Sequence, residues 1–364
     1  MHSDYFSFSF DASDLRISTS ANRIRKRDRA ELIPLLHSIH IPTDALDTEA
    51  PRWHLRRQIN TARALAAVQP RGKSDSRLLT MDAALAIRGL PTWMNVYDIH
   101  YRTLDQKKSG RTLTTPYVRA AGHSVPEVSV SKLRAVRLDS RFEVVRGAPV
   151  VPLEEAALDL ARLSHPLNAY IGVSFAIAEL SHFDAFQSVR SRERERQIKD
   201  ELLQQLGPIA QLRHYRKAAA IIQKSDAGIE VPAEGVLLWL LHILLRHDHR
   251  LGAQFESQHP VVARGRKYRL DIGFPNIGFY IEFDGRGKLI QNSRSAEDWI
   301  QRQRDLQVEG WSPLRFTTTN LANIPAMAEV LSRELKSLGL RVLPLGGPLW
   351  APIPNYFRAP DRHY

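Results

Sequence analysis

Three carboxylates sit close together in the stretch KYRLDIGFPNIGFYIEFDGRGK, Lys267 to Lys288: Asp271, Glu282 and Asp284. The stretch reads as two strands joined by the turn PNIG. With that turn centred on Asn276 and Ile277, Asp271 faces Glu282 and Arg269 faces Asp284, all on one side, because strand side chains alternate. Leu270, Ile272, Phe274, Phe279, Ile281 and Phe283 then form the opposite, apolar side, suited to packing against helices. Two directly opposed carboxylates repel by roughly 0.2–1 kcal/mol, and burial worsens the conflict. A hard divalent cation such as Mg²⁺ between them removes it, since oxygen ligands are what that ion takes. The competing reading is a solvated charged face, with Arg269 neutralising Asp284 and Lys267 or Arg269 reaching Glu282.

The elements around this pair read as a small domain. Pro232–His247 is a helix apolar on nearly every side and therefore buried. After the strands Arg269–Phe274 and Phe279–Asp284 comes a helix, Ala296–Val308, capped by Ser295 and stopped by Gly310. The strand Pro313–Thr317 and the helix Ile324–Leu338 complete the unit. Upstream, the pattern gives two helices, Arg29–His37 (interrupted by Pro34) and Trp53–Val68. The second carries Arg56, Arg57 and Arg63 and leads into the turn PRGKSDS and a short apolar run. Helix, turn, basic helix and basic hairpin outline a winged helix whose second helix enters a major groove; a merely solvated basic face is the alternative. Strands follow in VYDIHYRT, VPEVSVSKL and FEVVRGAPVV, then helices at Leu153–Leu163, Ala169–Leu180, Ser191–Leu206 and Pro208–Gln223. The tail LPLGGPLWAPIPNYFRAP cannot continue a helix and is expected to lie extended on the surface.

The chain has 364 residues, which at about 150 per domain suggests two or three domains. Hydrophobic residues make up 43% and charged residues 25%, a globular profile that excludes wholesale disorder. The longest apolar run, Val236 to Leu245 broken by His242, is too short to span a bilayer. Lys and Arg number 51 against 39 Asp and Glu, a net charge of +12, so a polyanion such as DNA is the expected partner. The absence of cysteine excludes disulfides, iron–sulfur clusters and thiol catalysis. No basic start and apolar core of a signal peptide is visible, and a cytoplasmic setting is expected.

The region from Val231 to Arg341 resembles the PD-(D/E)XK nuclease superfamily, in particular its very-short-patch-repair-endonuclease-like branch. The likeness rests on Arg269-Leu-Asp271, on Tyr280-Ile-Glu-Phe-Asp284-Gly285, and on a basic helix followed by Gly310-Trp311-Ser-Pro-Leu-Arg315-Phe316. Upstream, LLTMDAALAIRGLP, FEVVRGAPVVPLEEAALDLAR and VPAEGVLLWLL are similar to AbiEi-type antitoxins of actinobacteria. The resemblance implies that Asp271 and Glu282, with Asp284, bind Mg²⁺ or Mn²⁺ and that the reaction is DNA phosphodiester hydrolysis, in defence or repair. It makes Glu234 a first-helix acid, although an acid in a first helical turn also favours the helix dipole. Asp284 stands where many members carry the catalytic Lys, Lys288 stands where this branch often has His, and Leu270 replaces the motif Pro. Arg286, Arg294, Arg302 and Arg304 are expected to contact phosphates beside the site, as Arg56, Arg57 and Arg63 are upstream.

The expected fold is α+β and multidomain: an arm (1–24), a winged-helix-like DNA-binding region (25–80), an antitoxin-like α+β region (81–165) and a helical connector (166–228). An α/β/α three-layer restriction-endonuclease-like domain with a mixed sheet (229–342) and an extended tail (343–364) follow. Three functions are consistent with it. One is a metal-dependent DNA endonuclease. The others are a non-enzymatic DNA-binding regulator on a degenerate nuclease fold, and an adaptor that binds a protein partner through the tail.

Overall fold

The computed structural model describes residues 8–18, 31–69, 77–103, 112–133, 141–211, 213–245, 254–284 and 293–354, the side chains of 293–296 excepted. The chain is an α+β protein that divides into two compact units, Met1–Ser164 with Leu206–Tyr215, and His165–Gln205 with Arg216–Tyr364. Among the described residues no helix is long and apolar enough to cross a membrane.

The first unit runs β1 (Arg16–Ile17), β2 (Leu32–Leu36), β3 (Ile39–Pro42), α1 (Arg52–Ala67), β4 (Arg77–Thr80) and α2 (Met81–Ile87). It continues with β5 (Ile99–Thr103), β6 (Leu113–Thr114), β7 (Val118–Ala120), β8 (His123–Val125), β9 (Ser129–Lys132), β10 (Glu143–Val145), β11 (Ala148–Val150) and α3 (Leu153–Leu163). The sheets are β1-β3-β2, a mixed β10-β11-β4-β5-β9-β6 and the pair β7-β8. Residues 8–18, expected as a loose arm, are tied down: Phe10 is buried and β1 pairs with β3. The helix expected at Arg29–His37 is instead the strand β2. Pro34 has no N–H to give a helix, but on an edge strand that deficit is harmless, and it points to solvent between the buried Ile33 and Leu35. A division at residue 80 would cut β4 from its sheet and from Asp159 of α3, which accepts the Thr80 hydroxyl proton at 2.6 Å and pairs with Arg102.

The basic face expected on α1 is not a solvated one. Arg57 is buried, donating to the Leu90 carbonyl at 2.5 Å and to Thr92 Oγ1 at 3.0 Å. Arg63 has 0% exposure and donates to the carbonyls of Pro126 at 2.7 Å and Pro116 at 2.6 Å. Arg56 donates through Nε to the Ser124 carbonyl at 2.8 Å. Loop carbonyls shut away from water need donors, and α1 supplies them; Arg57 and Arg63 cannot reach a DNA groove from there.

The second unit comprises α4 (Pro166–Ser181), α5 (Ser188–Leu206), α6 (Tyr215–Lys224), α7 (Pro232–Leu244), β12 (Glu256–Ala263) and β13 (Arg266–Phe274). After these come β14 (Phe279–Asp284), α8 (Ser293–Val308), β15 (Ser312–Thr317), α9 (Thr318–Leu321) and α10 (Ile324–Ser337). Its sheet has the order β12-β13-β14-β15, antiparallel except for the last, parallel pair, whose crossover carries α8. α7 is buried along its length, as its composition requires. The segment 166–228 is more than a connector. Arg192 of α5 pairs with Glu195 at 2.6 Å and Asp226 at 2.7 Å and donates to Ser257 of β12. Burial opposes the Asp226 charge, yet Arg192 and Lys199 outweigh it and hold the carboxyl at about 2. The described tail, to residue 354, packs inward: Trp239 of α7 donates to the Leu349 carbonyl at 2.9 Å and stacks on Trp350.

Replacing Arg63 by Met strands two buried carbonyls and is expected to lower unfolding free energy by about 3 kcal/mol while leaving the folded protein's DNA affinity unchanged. Urea denaturation with a DNA titration at low denaturant checks this; intact stability with weakened DNA binding would return Arg63 to a solvated face.

Candidate functional site

The β13–β14 hairpin closes with the register expected: Ile272 faces Ile281, Gly273 faces Tyr280 and Phe274 faces Phe279. Pro275–Ile277 forms a 3-10 turn, and Gly278 leaves it at φ +59, where a Cβ would come within 2.6 Å of the Gly310 carbonyl oxygen. Beyond Ile272 the ladder stops. The Phe283 N–H donates instead to the Asp271 carboxylate, at 2.9 Å, so a side chain takes the place of a strand. On the other edge of β13 the pairing with β12 skips Asp271 and Gln258, and Gln258 adopts φ +54. One part of the expected apolar face moves with this irregularity: Leu270 packs with Val261, Ala263, Tyr280 and Leu306.

Glu282 lies in the middle of the sheet, 3% exposed. Parallel register sets it beside Arg315 of β15, whose Nη2 is 2.7 Å from Oε2. Arg302 of α8 pairs with Oε1 and also donates to the Arg269 carbonyl at 2.8 Å. Arg315 reaches Asp284 as well, at 2.8 Å through Nη1. α8 is held in position by Leu306 in the core, by Tyr280 donating to Gln303 at 2.9 Å and by Tyr268 donating to Asp305 at 2.6 Å. The charge pairing differs from that expected within the hairpin. Asp284 and Glu282 are neutralised by Arg315 and Arg302, while Arg269 turns to Glu230 at 2.5 Å and lies over the Phe186 ring.

Burial pushes the Glu282 carboxyl above its usual range; Arg302 and Arg315 pull it down, and Asp271 and Asp284 push it further up. Two acids, one on β13 and one on β14, therefore act on Glu282. Glu234, buried in the first turn of α7, accepts the Glu230 N–H at 2.7 Å and the Gln258 amide at 3.5 Å, which links it to the residue opposite Asp271. Arg304 is exposed on α8. Arg294 lies at the start of α8, its side chain outside the description, and Arg286 and Lys288 fall outside the described residues.

Among the described residues no three histidine or acidic side chains converge tightly enough to hold a metal ion unaided. The donor set nevertheless fits Mg²⁺ or Mn²⁺, because Mg²⁺ takes one or two carboxylates and completes its shell with water and phosphate oxygens. Asp271 and Glu282 are the acids that would supply such a pair, once Arg302 and Arg315 release the Glu282 oxygens they hold. Arg302 and Arg315 were the residues that the hairpin pattern did not single out as partners of the acids. Each is brought there by long-range pairing, and a basic residue on a helix or strand carries no local mark of its partner.

Comparison with protein-family models, curated proteins and solved structures finds no match for this chain.

Because its environment raises the Glu282 pKa, the ionised carboxylate destabilises the folded protein at neutral pH. Glu282→Gln is expected to fold and to melt at or above the wild-type temperature at pH 7. The gap should narrow with acidification, as folded wild type takes up the proton before the unfolded chain does. Calorimetry from pH 7 to pH 4 reads this, and a variant markedly less stable at pH 7 would make Glu282 a structural salt-bridge residue.

Proposed function

We propose that the second unit is a divalent-metal-dependent DNA endonuclease of PD-(D/E)XK type, a three-layer nuclease-like module, with Asp271 and Glu282 as its metal-facing acids. The observation that carries the reading is Glu282 itself: a carboxylate kept ionisable at the centre of a sheet, against burial and beside Asp271 and Asp284. Acids whose charge is opposed by burial and by like charges cluster where chemistry is done.

Asp271 and Glu282 would hold the cation, which when bound would supply Lewis acidity at the phosphoryl oxygen and a more acidic water. The Asp271 carboxylate is oriented by the Phe283 N–H, which restricts its rotation and leaves the site little to reorganise. Arg302 and Arg315 stand over Glu282 and neutralise it at rest. When the phosphodiester arrives, their guanidinium groups turn from carboxylate to phosphate, to which their planar donor forks are equally suited. Asp284 retains Arg315 in the site during that exchange. Net charge of +12 draws the polyanion to the protein and makes its binding salt-dependent.

A second reading, a DNA-binding regulator on a degenerate nuclease fold, is favoured by one feature: both Glu282 oxygens already have guanidinium partners. Cleavage of supercoiled, linear and single-stranded DNA with Mg²⁺, Mn²⁺ or EDTA separates the two. Metal-dependent cleavage by wild type, reduced at least about 100-fold in Asp271→Asn, is the expected result. DNA binding without cleavage, unaltered in Asp271→Asn, would replace the endonuclease with the regulator.

A further inference from the structure

Phe186 is 89% exposed, the most open of the large apolar side chains in the described residues, and it lies beside the site described above. It sits in the 3-10 turn Ala185–Gln187 just before α5, far in sequence from the acids. The Arg269 guanidinium lies over one side of its ring, 5.1 Å from the centroid, a cation–π contact loose enough to leave the ring open to water. The backbone carbonyl of Arg269 accepts from Arg302, which in turn pairs with Glu282, so the ring is two residues removed from the acid pair.

The turn that presents Phe186 is pinned. Its N–H donates to Asp184 Oδ1 at 2.9 Å, the Asp184 N–H donates to Ser191 Oγ at 3.0 Å, and Ser191 Oγ donates back to the Asp184 carbonyl. Arg194 adds a bond to the His182 carbonyl at 2.9 Å. Burying a phenylalanine is worth roughly 1.5–3 kcal/mol, yet these bonds hold the ring out in water. A planar ring with a cation on one face and solvent on the other is a stacking platform. Nucleobases stack on aromatic side chains and on guanidinium planes alike, and the cation beneath strengthens the ring's hold on a second π system.

We infer that Phe186, backed by Arg269, is a nucleobase-stacking subsite that receives an unpaired base flanking the phosphodiester at Asp271 and Glu282. The inference rests on the nucleic-acid reading of that site and adds a substrate class to it: single-stranded or locally unpaired nucleic acid. A base inside a duplex keeps its faces against its neighbours and cannot use the platform. Exposed Val189, a turn further along, widens the apolar surface beside the ring.

The test uses the full-length protein in EDTA, so that binding is read without cleavage. The probes are a single-stranded oligonucleotide carrying 2-aminopurine and the hairpin duplex of the same sequence. Phe186→Leu keeps an apolar surface residue, does not disturb packing, and is expected to weaken single-strand binding about 5- to 100-fold with duplex binding changed less than about twofold. Phe186→Trp should restore the affinity, and 2-aminopurine emission should be quenched by wild type and Phe186→Trp but not by Phe186→Leu. Equal single-strand affinity in wild type and Phe186→Leu overturns the inference, as does an equal loss on both probes. A Phe186→Leu variant that binds both probes normally but sediments as a smaller species would assign the ring to contact between copies of the chain instead. Binding of neither probe by wild type would remove the nucleic-acid reading and this subsite together. Binding that depends on Phe186, with no metal-dependent cleavage, would remove only the hydrolase.

Discussion

A carboxylate in the middle of a sheet must be neutralised, and in the second unit Glu282 sets that requirement. Glu282 is shut from solvent on the face of β14 that carries Arg302 of α8 and Arg315 of β15, and burial opposes its charge. The answer comes from two directions. β15 brings Arg315 alongside through parallel register, and the crossover helix α8 brings Arg302 from above the sheet. That geometry explains why α8 is anchored so firmly, through Leu306, Tyr268 and Tyr280: a guanidinium must be delivered to a defined point. The same arrangement holds Arg269 through its carbonyl and so reaches outward to Phe186.

If the proposed function holds, the clamp would give the site two states from one set of residues. With arginines on Glu282 the acids are quiet. Under the proposed function, a cation and a phosphate would exchange partners with them, carboxylate to metal and guanidinium to phosphate, which would limit the cost of unpaired buried charge. Arg57 and Arg63 show the contrasting use of the same residue type. They are buried, and the bonds they donate go to loop carbonyls and, from Arg57, to the Thr92 hydroxyl, so much of their work is to satisfy backbone. Arginine content alone therefore says little about where a polyanion binds; the partner of each guanidinium decides it.

The hairpin was the most legible part of the sequence, because a four-residue turn between two alternating strands leaves one register that buries Ile272, Phe274, Phe279 and Ile281 together. The helices α3, with its apolar stripe, and α7, apolar on nearly every side, were legible from their periodicity and composition. Legibility failed where local pattern and tertiary context diverge. Leu32–Leu36 has a helix-like apolar run, but Pro34 suits an edge strand better. β12 was not foreseen: Pro260 and the polar Glu256–His259 obscure its alternation, and its edge position tolerates both. Within the site, Asp271, Glu282 and Asp284 were readable from spacing. Arg315 as the link between Glu282 and Asp284, and Phe186 as a neighbour of Arg269, depend on long-range pairing that no local pattern encodes.

The proposed exchange of partners at Glu282 is tested most directly by the crystal structure of the protein with Mn²⁺, whose anomalous scattering locates the ion. The account predicts an Mn²⁺ peak liganded by Asp271 and Glu282, with the Arg302 guanidinium displaced from Glu282 Oε1. Arginines still paired to Glu282, with no Mn²⁺ between the two acids at saturating concentration, would contradict it.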